Sequence, residues 1–236
     1  ARMGFTGITD ILEADYGGYC KVVSDSFDLS KLNRRLGQTY EALNVGFKSY
    51  ACCGSNHTSL EAVQHIMSSH GIPPHLIDKI TIRATQATKL HVGWEYRPES
   101  ITAAQMNLPY CVAVMALEGQ AFVDQFTEEK IGDARILDFV KRVEVRADPE
   151  LDRLGPAYRH AIVAEIRCKD GRSFSQRVEH ARGSQSKPMA PLEVVEKFRT
   201  LAGKVLKGEQ VEGLLKTVNS LEKLPDMRSL AQMLVP

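Results

Sequence analysis

The twelve residues Gly46–His57 read Gly-Phe-Lys-Ser-Tyr-Ala-Cys-Cys-Gly-Ser-Asn-His and place a cation, a phenol, two thiols and an imidazole in one short segment. The segment runs into a helical pattern, with Leu60, Val63, Ile66 and Met67 at helical spacing. Ser55, Asn56 and Thr58 are N-cap residue types, and Thr58-x-x-Glu61 fits a capping box. The cluster therefore sits at a helix N-terminus, where free backbone N–H groups and the helix dipole favour an anion. Lys48 adds a mobile positive charge. The chemistry these types support is the binding of a small anion, most simply a carboxylate, by Lys48, Cys53, Gly54, Ser55 and Asn56. The same residues also fit a plain reading: Lys48 as a solvated strand-end lysine, His57 as an ordinary first-turn residue, and Cys52 and Cys53 as small buried apolar side chains.

The elements that must position this segment follow from pattern. Val45–Tyr50 reads as a strand feeding the cluster, and the helix from His57 ends at His70-Gly71, where Gly71 suits a left-handed C-cap. Asp78–Thr85 alternates, with Ile80, Ile82 and Ala84 on one face and Lys79, Thr81 and Arg83 on the other, as in a half-buried strand. Gln86–Val92 suits one or two helical turns. Residues 100–118 form an apolar helix interrupted at Pro109, which puts Tyr110 beside a break in backbone pairing. A buried tyrosine there ordinarily finds a hydrogen-bond partner. Asp133–Phe139 reads as a helix and Arg142–Arg146 as a strand. His160–Cys168 and Ser173–His180 flank Asp170-Gly171, a pair suited to a type I′ hairpin turn.

Before this block, residues 1–16 suggest a short helix and Asp28–Gly37 another, capped by Asp28. After it, residues 182–188 form a polar linker. Amphipathic stripes follow: Leu192, Val195, Phe198, Ala202 and Val205, then Val211, Leu214, Leu215, Val218 and Leu221. Asp226 caps a last short helix. Such stripes need a surface to bury against. The fold class is α+β: a mostly antiparallel sheet with helices over residues 45–186, flanked by helical segments at 1–44 and 187–236.

Composition narrows the function. Thirty Lys+Arg against 29 Asp+Glu give a net charge of +1, which argues against nucleic acid or an anionic membrane surface as the main partner. A hydrophobic content of 43% with 25% charged residues is that of a globular chain. Five cysteines without a CxxC pair fit a reducing compartment, hence a cytoplasmic setting, better than a disulfide framework. No metal-ligand spacing is visible, and no apolar run reaches membrane-spanning length.

Several stretches together resemble the MmgE/PrpD family. They are Gly4-Phe5-Thr6-Gly7, Ile11-Leu12-Glu13, Phe47-Lys48-Ser49-Tyr50-Ala51-Cys52-Cys53-Gly54-Ser55-Asn56-His57, Leu108-Pro109-Tyr110 through Gly119, and Arg182-Gly183 with Lys187-Pro188-Met189 and Glu196-Lys197-Phe198. The resemblance runs over essentially the whole chain, as the C-terminal half of such a protein. It implies that residues 45–186 are the α+β lid of a larger helical domain, to which residues 1–44 and 187–236 belong. It implies a lyase of small di- or tricarboxylates, led by a 2-methylcitrate dehydratase-like hydro-lyase, with decarboxylase, epimerase or a non-catalytic carboxylate-binding subunit as alternatives. It implies Lys48, Tyr110 and His57 as catalytic residues and no metal or organic cofactor. Some members carry a histidine where this chain has Cys53. The family's remaining acid/base groups lie in a helical half that no segment here matches, so a companion chain or a homo-oligomer is expected.

Overall fold

The computed structural model describes residues 2–235, and contacts divide the chain after Val45. The first unit holds one short helix, α1 (Tyr19–Val23), among turns. The helix expected within residues 1–16 does not form, and the one expected over Asp28–Gly37 shrinks to the 3-10 turn Leu29–Lys31. Asp28 does cap it, its carboxylate accepting from the Ser30 N–H at 3.0 Å. Leu32 and Leu36 are exposed, and isolated helices shorter than about 12–15 residues are marginal in water without a covered apolar face.

The second unit, from Gly46 onward, opens on an irregular strap, residues 46–53, followed by α2 (His57–His70) and β1 (Ile77–Ala84). Five helices then lead to the next strand: α3 (Gln86–Val92), α4 (Ile101–Met106), α5 (Leu108–Glu118), α6 (Glu128–Ile131) and α7 (Ala134–Val140). The remaining elements are β2 (Val143–Ala147), α8 (Pro149–Asp152), β3 (Ile162–Cys168), β4 (Ser173–Val178), α9 (Pro191–Ala202), α10 (Gly208–Val218) and α11 (Met227–Met233). Among the described residues no helix is long and apolar enough to cross a membrane.

The sheet order is β2-β1-β3-β4. β3 is antiparallel to both β1 and β4, whereas β1 and β2 run parallel, with Ile80 opposite Val143 and Ile82 opposite Val145. The sheet is therefore mixed: two of its three pairings are antiparallel, as expected of a mostly antiparallel sheet, and the β1–β2 pairing departs from that pattern. The long helical crossover over residues 85–142 brings β2 back alongside β1 in the same direction, as parallel pairing requires.

Ile80, Ile82 and Ala84 of β1 face the core with Ile162, Ala164 and Ile166 of β3. α2 contributes Leu60, Val63 and Ile66, and every residue from Leu108 to Ala116 of α5 is buried. A helix apolar all round belongs in a core. Its interruption lies at Asn107, whose Oδ1 accepts from the Tyr110 N–H at 2.8 Å, and Pro109 falls within the first turn, where proline is tolerated.

The hairpin also differs in detail. The Gly171 N–H donates to Cys168 O at 3.0 Å, Gly171 has φ +90°, and Asp170 is not left-handed. This is a turn closed by a glycine bulge rather than type I′.

Val45–Tyr50 is not a strand. The strap is held instead by scattered partners: Phe47 N–H to Gly183 O at 2.8 Å, Ala51 N–H to Ala121 O at 3.1 Å and Cys53 N–H to Gln105 O at 3.0 Å. Gly183 has φ +87°, and a Cβ built on it would lie 1.9 Å from Phe47 O. Gly183→Ala should therefore cost at least about 1–2 kcal/mol from backbone conformation alone and lower the melting temperature by roughly 2–8 °C for a chain of this size. Thermal unfolding followed by circular dichroism checks this; an unchanged melting temperature would mean that the strap is not seated on Gly183.

The C-terminal helices join this unit through polar links. Arg182 pairs bidentately with Glu193, Lys204 with Asp124 at 2.5 Å, and the Lys197 ammonium donates to Lys48 O at 2.8 Å. Val211 and Leu214 of α10 are buried, but Leu192, Val205 and Val218 remain exposed.

Candidate active site

The strap and the first turn of α2 carry six of the seven residues singled out by sequence. Lys48 is exposed, and its ammonium donates to Cys52 O at 3.2 Å. Among the described residues it has no carboxylate partner, although most basic side chains of the strap's surroundings do. Next to it the surface closes over a polar interior: Ser55, Asn56 and His57 are 2%, 0% and 3% exposed.

The helix start differs from the expected capping box. A 3-10 turn, Gly54–Asn56, precedes α2 and takes up two of the N–H groups assigned above to an anion: Asn56 N–H donates to Cys53 O and His57 N–H to Gly54 O. Thr58 Oγ1 donates to His160 O at 2.7 Å, and Glu61 accepts from Lys187 and from the Arg182 N–H. Tertiary partners have outcompeted the local cap. What remains for an anion is Lys48, the dipole of the 14-residue α2 and the side chains of its first turn.

Those side chains form one network. Asn56 Nδ2 donates to Gln105 O at 3.1 Å and to Cys111 Sγ at 3.3 Å. The Cys52 thiol lies 3.7 Å from Cys53 O, and the Cys111 thiol donates to Ala104 O at 3.4 Å. The His57 ring stands edge-on to Tyr50, centroids 5.2 Å apart. Ser55 Oγ and His91 Nδ1 are 3.2 Å apart. Buried polar atoms without a protein partner concentrate here: Asn56 Oδ1, His57 Nε2, Ser59 Oγ and His160 Nδ1. An unsatisfied buried polar atom costs about 1–3 kcal/mol, so four around one helix start mark a place built for something other than stability.

Electrostatics separate the groups. The hydrogen bond from Cys111, then His57 and Asn56, holds the Cys52 thiol below its ordinary value against the opposing effect of burial. Burial first, then Cys52, pushes Cys111 well above it. Burial, with Glu61 adding to it, raises Tyr50, so its phenol keeps its proton. Burial, then Arg159, His91 and His57, lowers His160. A folded state that disfavours the imidazolium binds fewer protons than the unfolded chain. Stability is then intact above the ordinary value of 6.5 and falls as pH drops below it. We expect the melting temperature to decline between pH 7 and pH 5 and the decline to be shallower in His160→Gln; identical profiles would show that His160 takes up its proton equally in the folded and unfolded states.

Tyr110 is not brought to this group. It is fully buried, its hydroxyl donates to Gln125 O at 3.0 Å, and its ring packs on Tyr96 and Phe126 at 4.7 and 5.9 Å. The expected convergence with Lys48 and His57 is therefore corrected. A tyrosine next to a helix break inside an all-apolar helix went to the core, as its neighbours Val112 and Val114 foretold. Tyr110→Phe should cost about 1–3 kcal/mol by leaving the Gln125 carbonyl unpaired, measured by denaturant unfolding. A loss of turnover beyond the loss of folded protein would return the hydroxyl to the reaction.

Sequence reasoning missed His91, Cys111 and His160. They join the first turn of α2 from α3, α5 and the loop before β3, and no local spacing announces them. A separate groove of about 1000 Å³ lies between α2, β4 and the segment 182–193, lined by Tyr50, His65, Arg177, His180 and Arg182. Its Arg177, Arg182 and Lys187 are paired with Glu179, Glu193 and Glu61, so it offers an anion less than unpaired Lys48 does.

The chain is similar to known proteins over most of its length. The chain is 27% identical over 252 residues to cis-aconitate decarboxylase of Aspergillus terreus, covering 99% of this chain and 50% of that protein. It is 28% identical over 198 residues to the human cis-aconitate decarboxylase, covering 81% of this chain and 40% of that protein. The chain thus spans about half the length of the curated relatives it matches. Residues 50–223 match the MmgE/PrpD C-terminal domain, and on that match, which takes in the first turn of α2, the sheet and α5, the chain belongs to the MmgE/PrpD family.

Proposed function

We propose that this chain carries the carboxylate-binding and proton-transfer face of a lyase acting on a small di- or tricarboxylate. The observation that carries this reading is the unpaired Lys48 ammonium held beside the buried, under-satisfied first turn of α2. Lys48 binds a substrate carboxylate and stabilises negative charge as it develops on the substrate. His57, with Nε2 unpartnered, moves a proton to or from the adjacent carbon. Cys52 and Asn56 orient the imidazole and its surroundings, and Cys53, Gly54 and Ser55 shape the bay. Tyr110 holds α5 in register with the segment around Gln125.

Among lyase reactions, decarboxylation is favoured because the relatives above bear that name. Loss of carbon dioxide leaves an electron pair that Lys48 stabilises and a proton from His57 quenches. Dehydration and epimerisation would use the same two groups. The outward Leu192, Val205 and Val218 support association with a second copy or a companion chain.

Incubation of the protein as it occurs in the cell with cis-aconitate, following carbon dioxide and the residual tricarboxylate, tests the proposal. Carbon dioxide release supports decarboxylation, and a hydrated product alone moves the assignment to a hydro-lyase. Saturable binding without conversion of any of a panel of polycarboxylates would contradict the catalytic reading and leave a binding module.

A further inference from the structure

A hydrogen bond links the buried helix start to the surface. Ser55 Oγ and His91 Nδ1 are 3.2 Å apart. Ser55 is 2% exposed, whereas His91, in the last turn of α3, is exposed. Both ends of the contact are anchored. Ser55 lies in the 3-10 turn Gly54–Asn56. α3 is capped by Thr85, whose Oγ1 accepts from the Thr88 N–H at 3.2 Å and donates to Arg159 O at 2.6 Å. The Trp94 indole N–H donates to His91 O at 3.3 Å.

His57 has no comparable route to water. It is 3% exposed, and its Nε2 is unpartnered among the described residues. Replacing carbon dioxide by hydrogen on a substrate carbon consumes one proton per turnover, and that proton must be resupplied from solution.

We propose that Ser55 and His91 are a proton relay between solvent and the site, an inference that rests on the function proposed above. His91 starts neutral, with its Nδ1–H donated to Ser55 Oγ and a bare Nε2 facing water. A proton from buffer adds at Nε2. The Nδ1 proton then passes to Ser55 Oγ as the hydroxyl's own proton passes into the bay. One proton enters, one leaves, and the ring returns to its starting tautomer by exchange with water. His91 acts through Ser55 and is a positioning residue for the proton, not a group that touches substrate.

The experiment measures cis-aconitate turnover by the protein as it occurs in the cell, at low buffer concentration, with and without added imidazole. We expect His91→Ala to lose roughly 10²-fold in kcat, the lower end of the range for a positioned acid or base, with KM little changed. Imidazole should restore it in a saturable manner by supplying the missing group from solution. Ser55→Ala should lose a similar factor without recovery. His75→Ala, which removes an exposed histidine from the turn before β1, should match the unmodified protein in both conditions. His91→Ala turning over like the unmodified protein would overturn the relay. A loss that imidazole does not restore would also overturn it and leave His91 an anchor for Ser55. The ¹⁵N resonance of His91 Nδ1 reads the pair without turnover and should shift in Ser55→Ala; an unmoved resonance would overturn the pair itself. A shifted resonance in a protein that converts no polycarboxylate would overturn the function proposed above and the relay with it.

Discussion

Replacing Lys48 by alanine is expected to weaken polycarboxylate affinity by about tenfold to a hundredfold while leaving the fold intact. A hydrogen bond to a charged group contributes about 1.5–3 kcal/mol, and each 1.4 kcal/mol is a factor of ten in affinity. Lys48 is exposed, and the one hydrogen bond its side chain makes among the described residues is to Cys52 O, so truncation should change stability by no more than about 0.5 kcal/mol. The contrast between the two quantities makes the variant informative. Calorimetric titration with a tricarboxylate, beside a thermal melt, reads both at once. Unchanged affinity would remove Lys48 from the site, whatever happened to the melt.

The second large effect is expected at His57, where the chemistry is assigned. His57→Gln keeps a polar side chain at a position only 3% exposed but cannot shuttle a proton. Turnover should fall by roughly 10²–10⁴-fold, the range for loss of a general acid or base. Substrate affinity should change much less, because Lys48 still supplies the charge. A kcat effect with little change in KM is therefore the expected signature. Circular dichroism guards against unfolding, and a folded His57→Gln protein turning over within a few-fold of the unmodified one would contradict the assignment.

How much of this was legible in the sequence depended on whether the determining partner was local. α2 and its Gly71 end, the alternation of β1 and the buried length of α5 were readable because period and end signals lie inside each element. The parallel pairing of β1 and β2 was not, because neither strand encodes its neighbour and the crossover between them is long. Val45–Tyr50 looked like a strand, yet its Phe47 N–H goes to Gly183, and the next residues of the strap, Ala51 and Cys53, go to Ala121 and Gln105, three places no strand pattern names. The capping box at Thr58 and Glu61 was a sound local expectation that His160, Lys187 and Arg182 displaced.

The site shows the same division. Lys48, Cys53, Gly54, Ser55, Asn56 and His57 could be named as candidates together because they lie in one short segment. His91, Cys111 and His160 were not, because only the fold brings them to the first turn of α2. Tyr110 shows the converse error. Its place in a recognisable motif suggested chemistry, while its apolar neighbours, read on their own, placed it in the core where the structure has it.

The proposed chemistry depends on where a polycarboxylate sits. A crystal structure of the protein soaked with a tricarboxylate answers that most directly. We predict a carboxylate oxygen about 2.7–3.2 Å from Lys48 Nζ and a ligand atom within hydrogen-bonding distance of His57 Nε2. A ligand seated instead in the groove between α2 and β4, against Arg182 and His180, with Lys48 untouched, would contradict the account.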